Sequence, residues 1–167
     1  MKSIYLDNAA TTQIDEEVLK VMHESMQSNF GNPSSTHQYG RKAKSAVETA
    51  RKKIANHFNV SASEIIFTAG GTEADNLILY NAVLNLGVTR IITTKIEHHA
   101  VLHTCYHLKE THNISIDYVH VDEFGTLDTA HLAALLSNSD KKTLVSLMYI
   151  NNEIGNILPV DEICKIC

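Results

Sequence analysis

The stretch IIFTAGGTEADN (residues 65–76) combines a strand signal, a turn signal and a helix signal in one short segment. Ile65 to Thr68 is a run of apolar and β-type residues, which predicts a strand. The pair Gly70 and Gly71 predicts a tight turn, after which Thr72 opens a predicted helix. This order of elements is typical of a β–α unit in a sheet of parallel strands.

The chain on both sides of this unit alternates between helical and extended patterns. Towards the amino terminus, Asp15 is a predicted N-cap, the segment from Phe30 to Gly40 is a predicted loop, and apolar spacing from Val47 to Phe58 predicts a second helix. Towards the carboxyl terminus, the predicted strands are Ile91 to Thr94, Ser115 to Val121 and Thr143 to Ile150, and the predicted helices are His99 to Glu110, Asp128 to Leu136 and Val160 to Cys167. The predicted fold class is α/β with three layers, in which helices flank a mainly parallel sheet.

No linker interrupts this pattern, so residues 1–167 are predicted to form one domain without an internal boundary. The final predicted helix, from Val160 to Cys167, is only about two turns long. Because a domain seldom ends within an element, we expect the chain to be truncated.

Charge and hydropathy restrict the class of protein. The formal net charge is −5 and the cationic residues are spread along the chain apart from one cluster between Arg41 and Lys53, which argues against nucleic-acid binding. No apolar run approaches the roughly 20 residues of a membrane helix, and the segment MKSIYLDNAATT (residues 1–12) lacks the apolar core of a secretion signal. These features predict a cytoplasmic protein without nucleic-acid or membrane partners.

The glycine pair and Thr72 form a candidate anion site. Glycines allow backbone amides to approach an anion closely, the start of a helix offers unpaired N–H groups, and the Thr72 side chain adds a hydroxyl donor. These groups suit a phosphate, although the segment lacks both a Walker loop and a GxGxxG pattern. An ordinary strand-to-helix turn is the alternative interpretation.

Histidines are concentrated at the next strand-to-helix junction. His98 lies at the predicted sheet edge, where α/β enzymes bind ligands, and its ring could stack on a planar ligand. His99, His103 and His107 share one face of the predicted helix. A solvated helix face explains these three better than a metal site, because no carboxylate occupies the matching position.

The stretch NNEIG (residues 151–155) follows the most apolar predicted strand and therefore lies at the same carboxyl edge of the sheet. Its polar side chains could reach a ligand there. Turn chemistry is an equally good interpretation, since Asn and Gly adopt left-handed conformations readily.

The three cysteines are interpreted as structural. Cys105 lies within a predicted helix and lacks an activating partner. The spacing of Cys164 and Cys167 fits a half-buried helical face, and no second cysteine or histidine pair completes a zinc site. We therefore predict no bound metal.

Five motifs taken in order resemble the cysteine desulfurases, which belong to the class V aminotransferase branch of fold type I pyridoxal-phosphate (PLP) enzymes. The resemblance runs essentially from end to end of the chain. It implies that residues 1–167 correspond to the amino-terminal part of the large PLP-binding domain. The motifs are YLDNAATT (residues 5–12), FGNPSSTH (residues 30–37), IIFTAGGTEADN (residues 65–76), IEHHAVL (residues 96–102) and LVSLMYINNEIG (residues 144–155).

The resemblance implies a role for four residues at the sheet edge. Gly71 and Thr72 match the pair that binds the PLP phosphate, which agrees with the anion argument. His98 matches the catalytic histidine that stacks on the pyridine ring and takes part in proton transfer. Asn152 matches the residue that bonds the ring hydroxyl or the substrate.

Two further segments are expected near the substrate entrance by the same resemblance. These are Asn32, as a substrate contact, and the turn from Asp7 to Thr12. The family also requires a Schiff-base lysine in a Ser-x-His-Lys motif, an acidic partner for the pyridine nitrogen, a sulfur-accepting cysteine and a carboxylate-binding arginine. None of these motifs occurs in the 167 residues, so we expect the chain alone to be inactive.

The resemblance implies a homodimeric enzyme that removes sulfur from L-cysteine, giving L-alanine and an enzyme persulfide. The sulfur would pass to acceptor proteins such as an iron–sulfur scaffold, or serve tRNA thiolation. Two alternatives stay open: another class V PLP enzyme such as a selenocysteine lyase, and a non-catalytic α/β module that binds a phosphate ligand.

Overall fold

The computed structural model describes residues 3–138 and 140–167. Contacts within the chain define two compact units, one ending at Phe67 and the other beginning at Thr68. The first contains α1 (Glu16–Ser28), α2 (Gln38–Phe58) and the 3₁₀ turn Ala62–Glu64. The prediction that residues 1–167 form one domain stays a prediction.

In the first unit, helix starts follow from capping side chains. The Asp15 carboxylate accepts from the Glu17 amide at 2.9 Å, which confirms the predicted N-cap of α1. Helix α2 begins at Gln38, inside the predicted loop, because His37 serves as its N-cap. Gly40 allows this early start, since a Cβ there would lie 2.3 Å from the Ser35 carbonyl oxygen.

The predicted strand from Ile65 to Thr68 is wrong: this segment is irregular. Arg51 of α2 donates a hydrogen bond to the Ile65 carbonyl, and its guanidinium lies 4.7 Å from the centre of the Phe67 ring. The segment is therefore fastened to a helix by one side chain. Within the part of the chain that the structure describes, no strand pairs with it.

The second unit is built on a sheet of three parallel strands in the order β2-β1-β3. The strands are β1 (Arg90–Thr93), β2 (Ser115–Tyr118) and β3 (Thr143–Val145), and the helices are α3 (Gly71–Leu84), α4 (His99–His112), α5 (Thr129–Ser137) and α6 (Val160–Ile166). This arrangement confirms the predicted α/β fold class. None of the described helices combines the length and apolar character that a membrane span requires.

Strand β1 is the centre of the core. Ile91 packs with residues of α3 and α4 in one cluster, whereas its neighbour Ile92 packs with residues of α5 and α6 in another. Both isoleucines are 0% exposed, and burying each stabilises the fold by roughly 1.5–3 kcal/mol. Because successive side chains of a strand point to opposite faces, these two clusters place helices on both sides of the sheet.

The predicted strand from Thr143 to Ile150 is much too long, since β3 ends at Val145. The Ser146 amide still donates to the Ile92 carbonyl at 2.9 Å. The Met148 amide instead donates to the Glu97 carboxylate, at 2.9 Å. A side chain therefore replaces the backbone ladder where the chain leaves the sheet.

Candidate functional site

Three of the predicted site segments lie in the second unit, at ends of its elements. His98 immediately precedes α4 and follows β1, and Asn152 follows β3. Because β1 and β3 are adjacent and parallel, their carboxyl ends lie at the same edge of the sheet. Gly71 and Thr72 form the first turn of α3.

The start of α3 leaves backbone donors available. The Glu73 carboxylate accepts from the Ala69 amide at 2.6 Å, which satisfies one donor of the preceding loop. In the described ranges, no protein oxygen accepts from the amides of Gly71 and Thr72. Such amides at a helix start can bind an anion.

The glycine pair has no packing role that the structure shows. A Cβ added at Gly70 or Gly71 would meet no atom within 4 Å, and neither residue has a φ in the left-handed region. Neither internal packing nor backbone conformation therefore requires glycine at these positions. The absence of side chains at both positions would let an anion approach the backbone closely.

A polar link joins the first turn of α3 to α4. The Asn76 side-chain amide donates to the Thr72 carbonyl at 2.8 Å, and the Thr104 hydroxyl donates to the Asn76 side-chain oxygen. The link fixes Thr72 relative to the helix that His98 precedes. Sequence reasoning missed Asn76 and Thr104, because their contact depends on the packing of two helices.

His98 is exposed and serves as the N-cap of α4. Its Nδ1 accepts from the Ala100 amide at 3.1 Å. The neutral ring therefore carries its proton on Nε2, because an accepting nitrogen must be unprotonated. Capping fixes both the position and the tautomer of the ring, and Nε2 remains for a ligand.

The two asparagines of the NNEIG stretch differ in environment. Asn152 is exposed, and its side-chain amide donates to the Glu153 carboxylate at 2.8 Å. Asn151 is buried, and its side-chain oxygen accepts from the amides of Glu153 and Ile154 at 2.9 and 3.1 Å. The turn interpretation is therefore confirmed for Asn151, whereas a ligand contact of Asn152 stays a prediction.

Glu97 is a buried carboxyl group that sequence reasoning missed. Its Oε1 accepts from the Thr94 hydroxyl at 3.0 Å and from the Met148 amide at 2.9 Å. Burial raises the pKa of this group, and the nearby Asp75 raises it further, while both hydrogen bonds lower it. The sequence did offer a signal for a buried carboxyl group here, because Glu97 stands between the apolar Ile96 and the start of α4.

Asn32 lies in the first compact unit and is exposed. Its side-chain oxygen accepts from the Ser34 amide at 2.9 Å, which is a local turn contact. The amides of Ala10 and Thr11 donate to the Asp7 carbonyl, so the segment from Asp7 also forms a turn. The placement of both segments at a substrate entrance stays a prediction.

The remaining histidines and cysteines do not form a site. His99, His103 and His107 are exposed on α4, as a solvated face requires. Among residues 3–138 and 140–167, no group of three His, Cys, Asp or Glu side chains could hold a metal ion. Cys105 is 0% exposed, and burial raises the pKa of its thiol to about 11, so the thiol is neutral.

The interpretation of Cys164 and Cys167 as a half-buried helical face is wrong. Both side chains are exposed, and the buried position of α6 is Ile163. Ile163 packs in one cluster with Ile92 and Leu132, and neither cysteine belongs to that cluster.

Comparisons with known proteins identify relatives of this chain in sequence and in fold. The cysteine desulfurase IscS of Dictyoglomus turgidum is 42% identical over 99% of this chain, and the match spans 42% of that protein. A structure titled NifS-like protein aligns with a TM-score of 0.83 and 39% identity, covering 95% of this chain and 43% of its own. A structure titled SspA in complex with cysteine aligns with a TM-score of 0.85 and 32% identity, covering 98% of this chain and 47% of its own.

The chain thus spans less than half the length of these relatives. Its relatives named as cysteine desulfurases and the class V aminotransferases are PLP-dependent enzymes. The sequence profile described as Aminotransferase class-V matches residues 4–167. On this match, supported by the shared fold, the chain belongs to the class V aminotransferase family.

Proposed function

We propose that this chain provides part of the cofactor site of a PLP-dependent cysteine desulfurase. The observation that carries the proposal is the start of α3, where no oxygen of the described residues accepts from the amides of Gly71 and Thr72 and a Cβ added at Gly71 would meet no atom within 4 Å. The identity to proteins named cysteine desulfurase supports the choice of reaction. The SspA structure, whose title names bound cysteine, supports L-cysteine as the substrate.

The residues present fit PLP by their chemistry. The amides of Gly71 and Thr72, with the Thr72 hydroxyl, would hold the phosphate. The His98 ring would stack on the pyridine ring, and the Asn152 side chain would bond the ring hydroxyl. When bound, PLP supplies an electron sink for charge that develops on an amino-acid substrate.

In the proposed site, the His98 ring can move a proton. Its Nδ1 is occupied by the Ala100 amide, so exchange with a ligand takes place at Nε2. The capping bond also keeps the imidazole from turning away. We therefore propose His98 as the catalytic residue that this chain contributes.

The proposed overall reaction takes sulfur from L-cysteine to an enzyme thiol, which leaves L-alanine and an enzyme persulfide. The reaction also needs the lysine, the sulfur-accepting cysteine and the carboxylate-binding arginine of the family. These three residues would have to lie outside the five motifs. A cytoplasmic homodimer that passes sulfur to an iron–sulfur scaffold protein or to tRNA thiolation completes the proposal.

The cofactor assignment is tested by comparing PLP with pyridoxal, which lacks the phosphate. Titration of the purified chain should show tighter binding of PLP than of pyridoxal. Thr72→Val removes one hydrogen bond to a charged group, which is worth about 1.5–3 kcal/mol, so PLP affinity should fall roughly tenfold to a hundredfold. Pyridoxal affinity should not change.

Thr111→Val is the matched control, because Thr111 lies exposed near the carboxyl end of α4 and its hydroxyl donates only to the His107 carbonyl. This variant should bind PLP as the unaltered chain does. Equal affinities for PLP and pyridoxal, or an unchanged PLP affinity in Thr72→Val, would contradict the phosphate assignment.

A further inference from the structure

Two buried side chains connect the loops that carry His98 and Asn152. We call residues 94–98 the His98 loop and residues 146–158 the Asn152 loop. Glu97 of the His98 loop accepts from the Met148 amide at 2.9 Å. In return, Asn151 of the Asn152 loop donates from its side-chain amide to the Ile96 carbonyl at 2.8 Å. Each loop thus offers one side chain and one backbone group to the other.

We propose that Glu97 and Asn151 are positioning residues that set the spacing between His98 and Asn152. This inference rests on the proposed function, in which those two side chains contact the cofactor ring. Glu97 immediately precedes His98, and Asn151 immediately precedes Asn152. A fixed backbone at Glu97 therefore fixes the Cα–Cβ bond of His98, and a fixed backbone at Asn151 does the same for Asn152.

The two bonds begin where the backbone ladder ends. Regular pairing of β1 with β3 extends only to the pair Ile92 and Val145, and the Ser146 amide makes the final bond to the Ile92 carbonyl. Beyond this point, side-chain hydrogen bonds join the two segments that follow β1 and β3. Ligands of α/β proteins bind in the crevice outside the carboxyl ends of the strands. In the proposed site, the two side-chain contacts would hold the loops at this crevice.

Because Glu97 and Asn151 are buried, losing either hydrogen bond would destabilise the fold. Glu97 is 8% exposed and Asn151 is 7% exposed. A buried polar group without a partner destabilises the folded state, so the paired arrangement is strongly preferred. The bonds within each loop add to the order: the Thr94 hydroxyl also donates to Glu97, and the turn amides of Glu153 and Ile154 donate to Asn151.

The chemistry of the two side chains allows conservative variants that separate the roles. Both bonds to Glu97 use Oε1 as an acceptor, so the amide oxygen of Glu97→Gln can replace it. In Asn151→Asp the turn acceptor is kept, but the donor to Ile96 is lost. Glu97→Ala and Asn151→Asp should therefore loosen the loops, whereas Glu97→Gln should not.

The first measurement uses the chain without ligand. Backbone ¹⁵N relaxation should show high order at His98 and Asn152 in the unaltered chain and in Glu97→Gln. Glu97→Ala and Asn151→Asp should lower the order parameters at both residues from roughly 0.85 towards 0.6. Unchanged order parameters in these two variants would overturn the proposal, whatever the chain binds.

The second measurement separates ring binding from phosphate binding. Glu97→Ala and Asn151→Asp should weaken pyridoxal binding about tenfold and leave the affinity for inorganic phosphate unchanged, since the phosphate site is at the start of α3. A general loss of structure would instead weaken both ligands together, and that result would overturn the positioning role. Phosphate binding without pyridoxal binding in the unaltered chain would reject the proposed cofactor, while the relaxation data would still judge the loop contacts.

Arg90→Ala is the control for lowered stability. Arg90 lies at the opposite end of β1 from the His98 loop, and its bonds go to Asp117 and Leu135. This variant should lower the melting temperature without changing the order parameters of His98 and Asn152. Equal loosening in Arg90→Ala would show that the loops respond to stability alone, which would overturn the proposal.

Discussion

The Glu97 carboxyl group is buried in the folded chain, where water cannot solvate its charge as it does in the unfolded chain. Its pKa is raised above the ordinary value of 4.5, first by burial and then by Asp75 of α3, and the bonds from Met148 and Thr94 offset part of this effect. Cys105 of α4 also senses this group, because the Glu97 charge contributes to the raised pKa of its thiol. A proton on Glu97 is therefore held more tightly in the folded chain than in the unfolded chain.

This difference predicts a pH-dependent stability. Between the unfolded pKa and the raised folded pKa, the folded state binds more protons, so the contribution of Glu97 to stability falls as pH rises through that window. Glu97→Gln cannot ionise and removes this loss. Urea unfolding between about pH 4 and about pH 8 should show Glu97→Gln gaining stability over the unaltered chain as pH rises. A difference that is constant or shrinks with pH would contradict the assignment.

Cys105 should be the unreactive cysteine. Its pKa rises from 9.0 to about 11, which lowers the thiolate fraction at neutral pH about a hundredfold, and its side chain is 0% exposed. Iodoacetamide should therefore label Cys164 and Cys167 long before Cys105, as followed by peptide mass spectrometry. Labelling of Cys105 at a comparable rate in the folded chain would show that the core around α4 opens readily.

At the scale of elements, buried polar side chains connect strands and helices. Arg90 is 6% exposed, and its guanidinium donates to the Asp117 carboxylate at 2.6 Å and to the Leu135 carbonyl at 2.9 Å. One side chain thus joins β1, β2 and α5. Asn76 and Thr104 connect α3 and α4 in the same way.

Arg90→Ala should lower the free energy of unfolding by about 1–3 kcal/mol, because it removes the guanidinium bond to the Leu135 carbonyl and the cation beside the Asp117 carboxylate. Asp117 is partly exposed, so water compensates for some of the loss. Chemical unfolding of the variant measures this difference. A change below about 0.5 kcal/mol would show that the buried arginine has no net stabilising role.

Local signals were sufficient to find the helices, although α2 begins earlier than predicted, and insufficient for two strands. Asp15 and Asp128 cap the helices that their sequence contexts predicted, because capping acts over two or three residues. The failed strand at Ile65 to Thr68 is explained by Arg51, which lies 14 residues from Ile65 in the sequence. The shortened β3 is explained by Glu97, 51 residues from Met148. Long-range side-chain contacts of this kind leave no periodic pattern in a sequence.

The same distinction applies to the candidate site. Gly71, Thr72, His98 and Asn152 could be selected from motifs, because each stands at a predicted turn or helix start. Their supports could not be selected, since Glu97 and Asn151 bond across the sheet edge to partners that only the fold brings near. Asn151 and Asn152 are adjacent residues of the same type, and only the structure shows that Asn151 is buried while Asn152 is exposed.

At the scale of the whole molecule, the carboxyl ends of β1 and β3 lie at one edge of a parallel sheet, where His98 and Asn152 follow them. The match to the class V aminotransferase profile extends over residues 4–167, while the relatives named cysteine desulfurase are more than twice as long as the matched region. We propose that the chain contributes the phosphate, ring and hydroxyl contacts of the PLP site. The proposed sulfur chemistry requires groups beyond the motifs found here.

A crystal structure of this chain with bound PLP tests the central claim most directly. We predict the phosphate against the amides of Gly71 and Thr72, the pyridine ring against His98, and the ring hydroxyl beside Asn152. PLP bound elsewhere, or with its phosphate away from the start of α3, would contradict the proposed site.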